Sequence, residues 1–294
     1  EGKSKRDSSE CTGAGSMNMH SLGAVLGDGH QGSSRRSQTE QALAAVESWV
    51  SELRNAPQGG VRESVEKQAK RGFNKVWARA IRSLPSDKET DTDEDGRRRF
   101  DFHQVSDNPP VLLGRIPRGE HDVQQLKQHG VSAVVSMSED WEIVEQNWPS
   151  NMFQRASLEW LRCPTPDYSA PTLLDLLLAV SFLLKFALPM QSAADTQRDG
   201  RVKAVYVHCN RGRSRSGLVV ICYLMARFGW TQRDALEYAR DARKDITLGP
   251  QFSSFWARLK TFETGLHERL EVLTRTPVLA STLTSSTTSL VRPL

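Results

Sequence analysis

The residues with the clearest chemical potential lie close together, between positions 205 and 217 of the 294-residue chain. Cys209 follows a histidine, and Arg215 comes six residues later, so the spacing is Cys-x5-Arg. A cysteine thiolate is a strong nucleophile, and the planar guanidinium of arginine can bind two phosphate oxygens at once. Ser216 can donate a hydrogen bond to the sulfur and steady it as a leaving group. This pattern predicts a cysteine that attacks a phosphate ester.

The sequence around Cys209 has the elements that a phosphate site needs. Residues 205–207 are β-branched and aromatic, which is typical of a buried strand, and the apolar spacing after position 215 predicts a helix. A loop that leads into a helix N-terminus presents free backbone N–H groups to an anion. His208 is expected to orient this loop through hydrogen bonds rather than to transfer protons. We expect the loop residues to bind the phosphate: Asn210, Arg211, Gly212, Arg213, Ser214 and Arg215.

Hydrolysis of a phosphate ester also needs an acid that protonates the leaving oxygen. Asp167 lies in a proline-bounded loop after a predicted strand, so it should reach the same sheet edge as Cys209. The alternative is a turn aspartate that caps the next helix, whereas Asp175 falls inside that helix. We expect Asp167 to protonate the leaving group and then to activate the water that hydrolyses the cysteinyl-phosphate. Gln251 is a candidate for positioning this water.

No cofactor or metal ion is expected in this mechanism. The loop and Arg215 supply the positive charge that stabilises a phosphoryl transition state, and the cysteines and histidines show no zinc-site spacing. Four irregularly spaced cysteines do not suggest a disulfide framework, and a catalytic thiolate favours a reducing intracellular compartment. Cys163 and Cys222 are interpreted as buried core residues, with a redox partnership between Cys163 and Cys209 as the alternative.

Alternating strand and helix patterns between residues 100 and 270 predict an α/β catalytic domain, with a central, mostly parallel sheet flanked by helices. In such a sheet the ligand lies beyond the carboxyl ends of the strands, where Cys209 would be placed. Four segments are expected outside this domain: a disordered N-terminal segment (1–38), a helical, basic, amphipathic extension (39–84), a charged linker (85–99) and a disordered Ser/Thr-rich tail (271–294).

The charge of the chain bears on its partners. A net charge of +4 fits an anionic substrate or membrane surface and does not indicate nucleic-acid binding. Residues 61–84 combine basic and apolar residues at helical spacing; such a helix can lie on an anionic membrane, and the alternative is a helix packed on the domain. Arg211 and Arg213 either add positive potential at the mouth of the site or are solvent-exposed loop charges.

Several motifs resemble those of the cysteine-dependent protein tyrosine phosphatase superfamily. The stretch 208–216 is similar to its signature loop, and residues 111–117 resemble the start of the dual-specificity phosphatase domain. The acidic and aromatic run 137–142 resembles a motif of the mitochondrial phosphatidylglycerophosphate phosphatases. The resemblance covers about residues 100–265 and implies the dual-specificity fold and a mitochondrial location, with the cytosol as the alternative. It also implies that Asp167 occupies the position of the family's general acid.

Three functions are open at this stage. The first is a lipid phosphatase that acts on phosphatidylglycerophosphate. The second is a dual-specificity protein phosphatase that acts on phosphotyrosine and on phosphoserine or phosphothreonine. The third is a module that binds phosphate without turnover, and the presence of Cys209, Asp167 and Arg215 together argues against it. The expected partner is therefore a phosphorylated lipid or a phosphoprotein.

Overall fold

A computed structural model describes residues 28–56, 100–146, 151–188, 203–248 and 253–275. The helices are α1 (Asp28–Asn55), α2 (Glu120–Gln128), α3 (Asp140–Val144), α4 (Met152–Arg155), α5 (Leu173–Ala187), α6 (Arg215–Phe228), α7 (Gln232–Ala242) and α8 (Ser253–Arg275). The strands are β1 (Phe102–Asp107), β2 (Pro110–Gly114), β3 (Val131–Ser136), β4 (Glu159–Arg162) and β5 (Ala204–His208).

The five strands form one sheet in the order β1-β2-β5-β3-β4. β5 pairs in parallel with β2 and β3, and β3 pairs in parallel with β4. Among the described strands, only β1 and β2 pair antiparallel. The predicted mostly parallel sheet is therefore confirmed. β1 was not predicted, because it is an edge strand with half of its residues exposed, whereas every residue of β5 is buried.

Helices cover both faces of the sheet, as predicted. Val205 and Val207 of β5 pack into a larger core that contains α1, α5, α6 and α8. Tyr206, between them in sequence, packs into a smaller core with α2 and α4. This alternation follows from the two-residue period of a strand. Because β5 is central and covered on both faces, its rigid backbone fixes the position of Cys209, the residue that follows it.

The N-terminal helix is part of the larger core. Helix α1 begins at Asp28, so it includes residues 28–38 of the segment for which disorder was expected. Ala42, Val46 and Trp49 are buried, and α1 packs on α5, α6 and α8. Thr39 lies inside α1, is fully buried, and accepts a hydrogen bond from Arg227. Tertiary packing therefore stabilises α1.

Some predicted segments lie outside the described residues. These are the basic helix at 61–84, the linker at 85–99, the loop at 189–201, Gln251 and residues 276–294 of the tail. Helix α8 continues to Arg275, past the predicted domain end at residue 270. Within the described ranges, no helix combines the length and the apolar character that a membrane crossing requires.

Candidate active site

The loop from Cys209 to Ser214 connects the carboxyl end of β5 to the first residue of α6. Gly212 has φ +67°, a conformation that glycine adopts without strain. A Cβ atom at this position would lie 2.4 Å from the carbonyl carbon and oxygen of Gly114, at the end of β2. The loop therefore needs glycine at 212 both for its turn and for its close contact with the neighbouring strand.

Cys209 lies at the base of this loop and is almost completely buried. Ser216 donates a hydrogen bond from Oγ to the Cys209 Sγ, over 3.2 Å. Burial alone would raise the pKa of the thiol. The positive charge of Arg215 and hydrogen bonds from Ser216 and from the Arg213 backbone N–H outweigh this effect, so the pKa of Cys209 falls below its usual 9.0. The site therefore favours the nucleophilic thiolate.

Arg215 is buried and is held by several acceptors. Its Nη1 and Nη2 donate to the two carboxylate oxygens of Glu142, over 2.6 and 3.0 Å. Nη1 also donates to the carbonyl oxygens of Thr165, at 2.8 Å, and Met137, at 3.4 Å. Burial alone would lower the pKa of Arg215, but the carboxylates of Glu142 and Asp167 raise it. The guanidinium is thus charged and fixed in orientation beside Cys209.

Asp167 lies in the loop after β4, at the sheet edge that carries Cys209. Its Oδ1 is 3.0 Å from Nη2 of Arg215, and its side chain is 20% exposed. The neighbouring Tyr168 adopts φ +59°, and its backbone N–H donates to Asp167 Oδ1 over 3.2 Å. The structure therefore brings together the predicted nucleophile, phosphate ligand and acid. The alternative was that Asp167 caps the next helix. Thr172 fills that role instead, because its Oγ1 accepts a hydrogen bond from the backbone N–H of Asp175.

Glu142 is a functional residue that sequence reasoning missed. It lies in α3 with only 1% of its side chain exposed, and it makes the two-pronged contact with Arg215. A capping box places it there, because the Glu142 side chain accepts the backbone N–H of Glu139, the residue that precedes α3. The acidic and aromatic run at 137–142 was the sequence signal that could have pointed to Glu142. The run does not indicate, however, that the Glu142 carboxylate contacts an arginine 73 residues away.

The two arginines of the loop are only partly exposed. Arg213 pairs with Asp245 over 3.2 Å, with side chains 39% and 45% exposed. Its charge is thus balanced by a neighbour rather than left at the mouth of the site. Ser214 Oγ donates to the carbonyl oxygen of Thr247 over 2.8 Å, which ties the loop to the segment after α7. Arg211 and Asn210 are partly buried in the same loop.

The other described cysteines do not contribute to the site. Burial, with a smaller effect of Asp175, raises the pKa of Cys163 to about 12, and burial raises that of Cys222 well above its usual value. Both side chains pack in the larger core. Over the described ranges, no group of three or more histidine, cysteine, aspartate or glutamate residues could hold a metal ion.

His208 lies directly before the nucleophile and is fully buried. Its ring stacks on Tyr206, with centroids 5.6 Å apart. Burial, together with the charge of Arg215, lowers the pKa of His208 from 6.5 to about 3. The imidazole is therefore neutral at physiological pH, in agreement with a supporting role and not an acid–base role.

This neutral histidine should make the fold acid-sensitive. Below pH 6.5, His208 is protonated in the unfolded chain but stays neutral in the folded chain. The free energy of unfolding therefore decreases as the pH drops toward 3. At pH 4.5 the loss from this group is about 3 kcal/mol. Urea unfolding at pH 7 and at pH 4.5 measures this loss. Between these two pH values, His208→Asn should lose less stability than the wild type. His121→Asn, at an exposed position, is the matched control, and equal losses in all three proteins would contradict the assignment.

Comparison with known proteins agrees with this geometry. The family model described as the catalytic domain of dual specificity phosphatases matches residues 113–264, about half of the chain. The chain belongs to this family. The matched range contains Cys209, Arg215, Asp167 and Glu142.

Curated proteins also match part of the chain. "Phosphatidylglycerophosphate phosphatase PTPMT2" of Arabidopsis thaliana is 36% identical over 141 residues, which are 48% of this chain and 55% of that protein. "Phosphatidylglycerophosphatase and protein-tyrosine phosphatase 1" of Homo sapiens is 33% identical over 156 residues, 53% of this chain and 71% of that protein. The chain thus spans only about half of the length of the plant relative.

A solved structure also resembles part of the chain. The crystal structure of PTPMT1 in complex with PI(5)P shares 29% sequence identity, with a TM-score of 0.47. The alignment covers 57% of this chain and 97% of that structure.

Proposed function

We propose that the chain hydrolyses phosphate monoesters through a cysteinyl-phosphate intermediate, and that phosphatidylglycerophosphate is its substrate. One observation carries the chemistry: Arg215, which lowers the pKa of Cys209, also lies 3.0 Å from the Asp167 carboxylate. Nucleophile, phosphate ligand and acid therefore share one small site. The names of the plant and mammalian relatives support the choice of lipid.

In the first step the Cys209 thiolate attacks phosphorus as the bond to the leaving oxygen breaks. The backbone N–H groups of the loop and Arg215 bind the equatorial oxygens, where negative charge is greatest. A phosphate oxygen competes with Asp167 for Nη2 of Arg215, because both need the same donor. The displaced carboxyl then lies beside the negative phosphate, which favours its protonated form. Asp167 gives this proton to the leaving oxygen.

In the second step water replaces the leaving group. Asp167, now ionised, accepts a proton from this water as its oxygen attacks phosphorus, and the S–P bond breaks. The departing sulfur becomes the thiolate again, stabilised by the hydrogen bond from Ser216 at 3.2 Å. Inorganic phosphate leaves, and the Asp167 carboxyl pairs with Arg215 again. It then releases the accepted proton to solvent, which balances the proton that it took up from solvent when the substrate displaced it from Arg215. The charge that this reaction needs comes from residues of the chain itself.

The second candidate is a dual-specificity protein phosphatase. The relatives from mouse and human carry both activities in their names, "Phosphatidylglycerophosphatase and protein-tyrosine phosphatase 1". The full chain should be assayed for phosphate release from phosphatidylglycerophosphate in micelles and from a phosphotyrosine peptide, with the Cys209→Ser variant as blank. We expect the higher kcat/KM with the lipid. A higher value with the peptide would replace the lipid by protein substrates.

The proposal also concerns the cellular compartment of the protein and its contact with a membrane surface. A catalytic thiolate suits a reducing compartment, and the resemblance to phosphatidylglycerophosphate phosphatases favours the mitochondrion over the cytosol. The basic residues of 61–84 are proposed to contact the anionic membrane that presents the lipid. Binding to vesicles with and without anionic lipid, for the full chain and for a form lacking 61–84, tests this contact.

Replacing Asp167 by asparagine should affect substrates according to their leaving groups. A lipid leaves as an alkoxide and needs the proton, so kcat/KM with phosphatidylglycerophosphate should fall about 100- to 1,000-fold. A p-nitrophenolate leaves without protonation, so p-nitrophenyl phosphate should lose less than about tenfold. The kcat/KM is the appropriate quantity because it reports the transfer of phosphate to cysteine. Asp175→Asn, which alters a helix cap, should retain both values, and equal losses with both substrates would exclude Asp167 as the acid.

A further inference from the structure

Arg243 contacts the backbone of the phosphate-binding loop. It follows α7 directly, and its side chain is only 1% exposed. Its Nε donates to the carbonyl oxygen of Gly212 over 2.9 Å, and its Nη2 donates to that of Arg211 over 3.3 Å. One guanidinium thus binds two consecutive carbonyl groups of the loop.

A third carbonyl of the loop is held in the same way. The backbone N–H of Ile116, just after β2, donates to the carbonyl oxygen of Asn210 over 3.3 Å. Three carbonyl groups in a row, those of residues 210, 211 and 212, therefore have donors on the outer side of the loop. These three contacts satisfy backbone acceptors that a loop cannot satisfy within itself as a helix does.

The outward carbonyls determine where the N–H groups point. In a trans peptide unit, the C=O of one residue and the N–H of the next point in opposite directions. Carbonyls of 210–212 that face outward therefore turn the N–H groups of 211–213 inward. The hydrogen bond from the Arg213 N–H to Cys209 shows this directly, since Arg243 binds the C=O of the same peptide unit, that of Gly212.

Arg243 is itself held by an acidic partner. Its Nη2 lies 2.7 Å from Oδ2 of Asp101, and its Nη1 lies 2.8 Å from Nδ1 of His103. Burial alone would raise the pKa of Asp101, but the hydrogen bond and charge of Arg243, with His103 and Arg115, lower it. Asp101 is thus an ionised anchor. It directly precedes β1, so the start of this edge strand supplies the partner of Arg243.

We infer that Arg243, anchored by Asp101, is a positioning residue that turns the backbone N–H groups of the phosphate-binding loop toward the phosphate and the thiolate. The inference rests on the proposed phosphatase function but concerns a residue outside the reacting groups. Arg243 touches neither Cys209 nor Arg215 through any contact described above. Its effect on catalysis passes through the direction of the peptide units at 211–213.

The test uses the full chain with Arg243→Gln and Arg243→Lys. The rate of Cys209 alkylation by iodoacetamide, followed by peptide mass spectrometry from pH 4 to 10, reports the thiolate. Protection of Cys209 from alkylation by added inorganic phosphate reports anion binding. We expect Arg243→Gln to lower alkylation below neutral pH about tenfold and to weaken phosphate binding about 10- to 100-fold. Arg243→Lys keeps the charge but not the two-pronged contact and should lie between it and wild type.

A matched control separates positioning from stability. Arg227 is also a buried arginine, but it binds Thr39 of α1, far from the loop in sequence. Arg227→Gln should lower thermal stability and leave the alkylation profile unchanged. Wild-type alkylation and phosphate binding in folded Arg243→Gln would overturn the inference. If that variant does not fold, the same result in Asp101→Asn would overturn it. Neither readout needs turnover, so both remain informative if the lipid and the peptide are not hydrolysed.

Discussion

Replacing Cys209 by serine is expected to lower phosphate release at least about 10,000-fold, because a serine hydroxyl is not ionised by a site built for a thiolate. Ser216 and the loop N–H groups stabilise a thiolate whose pKa already lies below its usual value. The same contacts cannot bring an aliphatic hydroxyl near ionisation at neutral pH. Steady-state release of phosphate from p-nitrophenyl phosphate and from phosphatidylglycerophosphate measures the loss.

The variant should keep the rest of the site intact. Serine is slightly smaller than cysteine and can still accept the hydrogen bond that Ser216 now donates to sulfur. Inorganic phosphate should therefore still bind, and rapid acid quenching with a labelled substrate should trap a phosphoenzyme in the wild type but not in Cys209→Ser. Cys163→Ser is the matched control at a buried cysteine outside the site. Residual turnover above one per cent in Cys209→Ser would exclude a cysteinyl-phosphate mechanism.

The core of the site is predictable because its chemistry is local. The strand, the loop and the helix around Cys209 follow each other within 25 residues, and each has its own signal: β-branched residues, glycine with arginine, and apolar helical spacing. The observed bounds, Ala204–His208 and Arg215–Phe228, agree with those signals. Asp167 was found for a similar reason, since parallel strands bring their carboxyl ends to one edge.

The supporting residues could not be predicted because their partners are distant in the chain. Glu142 binds an arginine 73 residues away, and Arg243 binds a loop 31 residues away. Each sits in a polar segment, where a charged side chain is ordinarily exposed. Only the folded chain shows that these charges are buried, and burial is what requires them to have partners.

The Glu142–Arg215 pair leads to the second large prediction. Glu142→Gln removes the negative charge that faces Arg215 and keeps the size of the side chain. Breaking a buried ion pair from one side typically costs about 3–5 kcal/mol, because the remaining charge is left buried with less compensation. We expect the variant to lose stability of this order, and its kcat/KM to fall about 100-fold as Arg215 loses its fixed orientation. Urea unfolding and phosphatase assays at pH 7 measure both effects.

Glu145→Gln provides the control, because Glu145 directly follows the same short helix but is exposed. It should change stability by no more than about 0.5 kcal/mol.

The phosphate affinity of Glu142→Gln distinguishes two causes of its lost activity. Without Glu142, Asp167 at 3.0 Å is the remaining carboxylate on Arg215, and it should compete more strongly with phosphate for Nη2. Phosphate binding should then weaken in Glu142→Gln and recover in the double variant with Asp167→Asn. Weak phosphate binding in both Glu142→Gln and the double variant would mean that Glu142 orients Arg215 without influencing this competition.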